Sequence, residues 1–281
     1  MTTLTIVVIV IVVVAAGAAA FAFADKRLHG SFIAGAARIR AAVGTQPDTL
    51  VTEQDLKDLP EPMARYLRWS GVLGKKRISL VHLRHSGTFK LERDKPWMPI
   101  QGEYYVTTTQ PTFAWYGKLR MAPGITAVAL DSYANGRGRM LVRLMSAFTI
   151  TDDKSEQVSH SAFGRCVAEL AATAPTFFLD RDRVKCAQTG PDTVRCTVAD
   201  GRFSTDADLV VNRDGSLDRI VVMRYFDRGN GLATLERFTG KSSQPKSYAG
   251  IMLGSRMEGS WNLHEGDFHY VSFDVDSVEF Q

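Results

Sequence analysis

The sequence predicts an α+β protein: a large, curved antiparallel β-sheet of half-barrel type with helices packed on it, preceded by one N-terminal transmembrane helix. Three observations carry this. An uncharged run, "LTIVVIVIVVVAAGAAAFAFA" from Leu4 to Ala24, opens the chain. From Ile78 onward apolar residues alternate with a period of two, broken at Gly, Pro and Asp turns. Helical periodicity returns only in short stretches that interrupt the strands, the arrangement of helices set against one face of an antiparallel sheet. The 281 residues are 45% hydrophobic and 23% charged, an ordinary globular balance with enough apolar side chains for a sizeable core. A formal charge of +4, with Lys and Arg scattered among Asp and Glu, argues against a nucleic-acid partner.

At about 1.5 Å per residue the Leu4 to Ala24 run crosses a hydrocarbon layer of roughly 30 Å. Residues 1–25 read as a transmembrane anchor or as a signal peptide. Ala22-Phe23-Ala24 offers a cleavage pattern, whereas the length of the run and the uncharged "MTTLT" start favour an uncleaved anchor. Residues 26–52 form a juxtamembrane linker, and residues 53–281 a single α+β domain. Within that domain Thr52 and Asp55 pattern as a cap for a short turn. Pro60-Glu61-Pro62 opens a helix whose Met63, Tyr66, Leu67 and Ser70 share a face, and Gly71 stops it. Strands follow from Ile78, where Leu80, His82 and Arg84 alternate with Val81, Leu83 and His85, then over Gly87 to Glu92, Gly102 to Thr109 and Thr112 to Met121, and through "DSYANGRGRMLVRLM". In "FAWYGKLRM" Phe113, Trp115, Gly117, Leu119 and Met121 fall on one side, and Ala114, Tyr116, Lys118 and Arg120 on the other. A helix is expected from Ala162 to about Ala172, stopping near Pro175. Hairpins then turn at Thr189-Gly190-Pro191-Asp192, at Asp214-Gly215 and at Glu265-Gly266-Asp267.

The first of these hairpins sets Cys186 opposite Cys196, either as a disulfide or as two half-buried thiols. A bridge implies an oxidising compartment. Lys26, Arg27, Arg38 and Arg40 just after the span argue for a cytoplasmic body instead. Cys166, in the helical stretch, belongs to the core.

Motifs for chemistry are sparse. His82 and His85 point to opposite faces of one strand, which defeats joint ligation, and His264 with His269 flank an exposed turn, so no metal is expected. No nucleophile elbow, Walker loop or dinucleotide fingerprint is present, and no cofactor is implied. Glu103, Asp131 and Glu169 are the candidate acid/base carboxylates. Aromatic residues crowd a short stretch: Trp97, Tyr104, Tyr105, Phe113, Trp115, Tyr116 and Tyr133 suit either a packed sheet face or an apolar pocket. Lys118, Arg120, Arg139 and Arg143 lie close by in sequence and suit an anionic head group.

Taken as a set, several motifs resemble an uncharacterised bacterial family of unknown function, often membrane-anchored. They are "LPEP" (Leu59 to Pro62) followed by Arg65, Tyr66 and Leu67; Trp97 with Pro99; Phe113 with Trp115; and "RMAPG" (Arg120 to Gly124). Asp131, Tyr133, Gly136, Gly138 and Met140 continue the pattern, which closes on Trp261, Gly266 and Tyr270. Where that family shows "RYLAE" this chain has "RCVAE" (Arg165 to Glu169), with Cys166 in place of a tyrosine. The resemblance implies no activity; it nominates Arg65, Tyr66, Trp97, Trp115, Asp131, Tyr133, Arg165 and Glu169.

The reading that follows is a single-pass protein of the bacterial inner membrane, its body extracytoplasmic, with a cytoplasmic orientation as the alternative. It binds a lipid or other apolar ligand, as half-barrel lipid carriers do, through Trp97, Tyr104, Phe113, Trp115, Arg120, Asp131, Tyr133 and Arg139. The competing readings are a hydrolase-like enzyme using Asp131 and Glu169, and a structural or assembly partner in the envelope. Oligomeric state is not legible.

Overall fold

The computed structural model describes residues 2–44 and 49–281. Helix α1 (Thr3–Val43) starts at Thr2, whose hydroxyl accepts from the Thr5 amide, and runs unbroken past Asp25 because nothing in it is a proline. Residues 26–43 are therefore the second half of one long helix; residues 45–48 of the expected linker lie outside the described residues. Leu28, Phe32, Ala36 and Val43 recur on one helical face and are buried. They pack with Ile39 against Leu80, Tyr105, Tyr116, Val128 and Leu141 of the sheet.

Two short helices follow, α2 (Glu53–Leu56) and α3 (Glu61–Trp69). The Asp55 carboxylate accepts from the Thr52 amide at 2.8 Å, closing the capping box expected there. The strands are β1 (Leu80–Phe89), β2 (Met98–Thr107), β3 (Thr112–Ala122), β4 (Ile125–Ala134), β5 (Arg137–Leu144) and β6 (Phe148–Asp153). Helix α4 (Glu156–Thr173) and a 3₁₀ turn (Pro175–Leu179) come next. The chain finishes with β7 (Val184–Gly190), β8 (Thr193–Asp200), β9 (Phe203–Val211), β10 (Leu217–Gly229), β11 (Leu232–Tyr248), β12 (Ile251–Leu263) and β13 (Gly266–Phe280). Together these make one open antiparallel sheet of 13 strands, as the period-two pattern predicts, in the order β6-β5-β4-β3-β2-β1-β13-β12-β11-β10-β9-β8-β7.

Two meanders are thus joined where the first strand pairs with the last, Leu83 opposite Val278 and Phe89 opposite Val271. β6 and β7 are the two edges, so the one long connection, α4, has to cross between them. It packs on β4 and β5 to one side and on β9 to β12 to the other. The inner face of the sheet, the side α4 covers, carries Leu83, Tyr104, Phe113 and Tyr133 in a single core with Phe163, Val167 and Leu170 of α4. The outer face of β2 and β3 receives α1.

This layout orients the molecule. The β1–β2, β3–β4 and β5–β6 connections share one end of the sheet, by the antiparallel pairing of β1 to β6. At that end Asp25 of α1 meets Lys118 at 2.7 Å and the Ser146 hydroxyl at 2.6 Å. Further along α1, Phe32 packs on Tyr105 and Tyr116, and Arg40 lies over the Tyr105 ring. The first part of α1, apolar and long enough to cross a membrane as an anchor or a signal sequence would, therefore projects past the connections, and this end of the sheet is called the anchor end after the role expected of it. From Thr3 to Phe21 the projection is about 27 Å.

Candidate functional site

Five of the residues nominated from sequence come together on the inner face. Tyr104, Phe113, Trp115, Asp131 and Tyr133 occupy neighbouring positions of β2, β3 and β4, with Tyr104 opposite Trp115, Trp115 opposite Asp131 and Phe113 opposite Tyr133. The other three do not join them. Trp97 lies exposed in the β1–β2 connection, edge-on to His269. Arg120 and Arg139 project from the outer face, where Arg139 holds Asp152 through two bonds of 2.6 and 2.9 Å. Lys118 too is on the outer side, paired with Asp25. The basic residues consequently sit behind the aromatic face rather than beside it. That follows from the period of a strand, in which adjacent residues take opposite faces.

α4 fills the space over the rings. Arg165 donates to Asp131 Oδ2 at 2.5 Å and to Glu169 Oε1 at 2.6 Å, and its guanidinium lies 4.7 Å from the Trp115 ring centre and 5.3 Å from that of Phe113. Burial works against the Arg165 charge, but Glu169 and Asp131 outweigh it and push its pKa further up. One cation thus takes up two of the three candidate carboxylates and stacks on the aromatic floor, while the third, Glu103, is on the outer face of β2 against His82. Asp131 and Glu169, the pair the hydrolase reading would use, are both ion-paired to Arg165. Tyr133 is wholly buried and its hydroxyl donates to Asp200 at 2.7 Å; burial, then Asp200, raises its pKa.

Trp115 leans along the sheet toward the anchor end. An added Cβ on Gly117 would stand 2.2 Å from Trp115 Cη2, and one on Gly102 would stand 2.2 Å from His85 Nε2, so bare backbone at both places is what lets the two rings lie flat. The rings are nearly coplanar, 2° apart, and Trp115 Nε1 donates to His85 Nε2 at 3.0 Å. An indole N–H only donates, so His85 carries its proton on Nδ1, and that buried atom has no partner among the described residues. Burial, reinforced by Arg165, lowers the His85 pKa to about 3. Tyr104 faces Glu169 without closing a hydrogen bond, and burial followed by the Glu169 charge raises its pKa well above the usual phenol value.

Sequence reasoning missed His85 as a member of this group, and missed Arg224. The Arg224 side chain is buried on the inner face of β10, stacked 4.7 Å from Phe238 and 5.2 Å from Trp261, and its Nε donates to the Ser161 carbonyl. In the alternation of "IVVMRYF" the arginine falls in phase with Ile220 and Val222, which is the signal that could have placed it inward.

On β3 to β5, α4 reaches along the strands only as far as Trp115 and Asp131. Beyond them, toward the anchor end, the inner face continues with Leu119, Ala127, Ala129, Val142 and Leu144, all apolar. The last four are only half-buried. The two best-formed hollows lie elsewhere: one of about 170 Å³ between α1 and the β3–β4 and β5–β6 ends, and one of about 390 Å³ lined by Arg137, Arg139, Lys154 and Arg202 at the start of α4. Neither borders the aromatic rings. Among the described residues no three His, Cys, Asp or Glu side chains gather as a metal site. Cys186 and Cys196 are directly opposed on β7 and β8 and are bonded as a disulfide; Cys166 is free and buried.

A model of a family of unknown function, DUF6544, matches residues 49–273. The chain belongs to this family. The match spans α2, α3, the whole of β1 to β12 and the Arg165 cluster, so the plugged inner face lies within the DUF6544 region while α1 precedes it. No curated protein matches the sequence. Among solved structures, a LolA superfamily protein from Nitrosomonas europaea aligns at 9% identity with a TM-score of 0.40, covering 77% of this chain and 92% of that one. A domain assigned to outer membrane lipoprotein sorting, from Vibrio parahaemolyticus, aligns at 11% identity with a TM-score of 0.37, covering 79% of this chain and 89% of that one.

Proposed function

We propose that this protein is a membrane-tethered binding module that takes the apolar part of a lipid, or of another lipid-like ligand, at the surface of the bilayer holding α1. The observation that carries the reading is the uneven cover of the inner face. Packing by α4 stops at Trp115 and Asp131, and the strip of Ala127, Ala129, Val142 and Leu144 beyond it stays half-exposed and opens toward the anchor end. Exposed apolar surface of this kind is retained where something apolar is met. The ligand site is this strip with Trp115 as its floor; the rings of Tyr104, Phe113 and Tyr133 are core. The Cys186–Cys196 bond supports an extracytoplasmic body, since such bonds persist in oxidising compartments.

The test is photocrosslinking of the full-length chain, reconstituted in vesicles containing a phospholipid with a diazirine near the end of its acyl chain. Adducts on the peptides carrying Ala127 to Ala129 and Val142 to Leu144 are expected, and Val142→Asp should abolish them while leaving adducts on α1. Adducts confined to Leu4 to Phe23 would mean that the strip meets no lipid and would sink the reading.

A further inference from the structure

The uncharged half of α1 touches the sheet through one aromatic pair. Phe21 belongs to the uncharged run and lies about 4.5 Å inside its Ala24 boundary. Its ring is 6.1 Å from that of Phe148, in the first residue of β6. Because α1 continues as one helix from the span onto the outer face of the sheet, with Asp25 tied to Lys118 and Ser146, the span cannot be embedded without bringing Phe148 to the same depth.

The neighbourhood of Phe148 is built for that position. Phe148 is 59% exposed and Ile150 64%, and in the adjoining connection Met121 is 40% and Ile125 45% exposed. The two connections are joined by a bond from the Met145 amide to the Thr126 carbonyl and by one from the Thr126 amide to Met145 Sδ, so they present a single edge. Between Glu103 and Asp152 the only carboxylate in the sequence is Asp131, which is held by Arg165 on the inner face; of the cations of this stretch Lys118 is taken up by Asp25 of α1, which leaves Arg120 and Arg143 to face an anionic surface. Apolar tips backed by cations are what an interfacial contact with anionic lipid requires.

We infer that the β3–β4 and β5–β6 connections enter the interfacial layer of the membrane that anchors α1, through Phe148, Ile150, Ile125 and Met121, and so form a second membrane contact that fixes the tilt of the sheet. This contact is separate from ligand binding by the inner strip. It restrains the body at two points, α1 and the paired tips, so that the domain does not swivel about its anchor.

Site-directed spin labelling of the full-length chain in phosphatidylethanolamine–phosphatidylglycerol vesicles tests this. Phe148→Cys and Ile125→Cys carry the label, Ala22→Cys serves as the lipid reference and Asn135→Cys, at the opposite end of the sheet, as the water reference. The ratio of oxygen to nickel-chelate collision should be several-fold higher at the two tip positions than at Asn135→Cys, close to that of Ala22→Cys. Nickel accessibility at both tips equal to that of Asn135→Cys, with Ala22→Cys still in lipid, overturns the inference. So does dipolar broadening between tip labels that disappears on dilution with unlabelled chain, because the tips would then be covered by a second copy. Phe148, Ile125 and Ala22 are exposed, whereas Asn135 sits at φ 52 in the β4–β5 turn, where cysteine is strained, so the circular dichroism of that variant is matched to the parent before labelling.

Discussion

Replacing Arg165 by methionine probes the centre of the plugged inner face. The substitution keeps much of the side-chain volume and removes the cation that holds Asp131 and Glu169. The three side chains are 18%, 14% and 30% exposed, so the carboxylates left behind face a poorly solvated space. Breaking a buried ion pair from one side costs about 3–5 kcal/mol, and stacking on Trp115 and Phe113 adds roughly 0.5–2 kcal/mol more. For a domain of this size each kcal/mol shifts the melting temperature by roughly 2–4 °C, so a fall of at least about 6 °C is expected. Near-ultraviolet circular dichroism of the full chain in detergent micelles follows the unfolding. The companion variant Arg165→Met/Asp131→Asn/Glu169→Gln removes all three charges and should recover most of the loss, because the penalty lies in uncompensated carboxylates. If the single variant melts within a degree of the parent, or if the triple variant is the less stable of the two, the cluster does not hold the plug in the way described.

Three further outcomes follow from the same packing. With its pKa lowered to about 3 in the fold and near 6.5 when unfolded, His85 binds its proton first in the unfolded chain. Its contribution is therefore complete above about pH 6.5 and declines by roughly 4–5 kcal/mol as pH falls toward 3; urea titrations of the parent and His85→Gln across that window should diverge, the variant being flatter. Gly117→Ala forces Trp115 off the sheet and should cost about 1–3 kcal/mol with a red shift of the tryptophan emission; unchanged emission would mean the ring does not lie over Gly117. Cys186→Ser/Cys196→Ser opens a loop with a sequence separation of 10 and should cost about 2–3 kcal/mol under non-reducing conditions, a difference that vanishes when the parent is reduced.

Alternation made the strands legible and, within each, the two faces: Phe113, Trp115, Gly117 and Leu119 do share the inner side, opposite Tyr116 and Lys118. Met121 slips out of that phase because a bulge falls between Arg120 and Ala122, and no residue there announces one. α4 begins at Glu156, ahead of the expected Ala162, since its first turns are polar; the Ser155 hydroxyl, accepting from the Val158 amide, was the available start signal. The stripe of Leu28, Phe32, Ala36 and Val43 was present in the sequence as well, masked by Arg27 and Arg38 on the opposite side of the helix. Arg165 and Glu169 stand four apart and could be paired from the sequence; what could not be read is that Asp131 joins them. Asp131 and Arg165 are brought together by tertiary packing of β4 and α4, and composition is silent on that. The same holds for Trp97 and Arg139, nominated because they are close in sequence to the aromatic stretch and placed elsewhere by strand parity.

The position of the plug follows from counting strands. β1 begins at the end of the sheet away from the anchor, because α1 has carried the chain up the outer face before the sheet starts. Every even-numbered strand of the first meander then ends at that far side, β6 included. The crossover to the opposite edge must start there, with Gly138 N donating to Ser159 at 2.9 Å where α4 enters. A single helix of 18 residues, about 27 Å long, cannot both cross the sheet and run down the strands. On β3 to β5 it therefore covers the far part of the inner face and leaves the near part, beyond Trp115 and Asp131, uncovered. Had the first meander one strand fewer, the crossover would begin at the end from which α1 projects, and the half-exposed apolar strip would lie at the other. The placement of α1 on the outer face and of α4 on the inner face are thus linked consequences of one topology, and together they leave the uncovered strip at the end from which the apolar half of α1 projects.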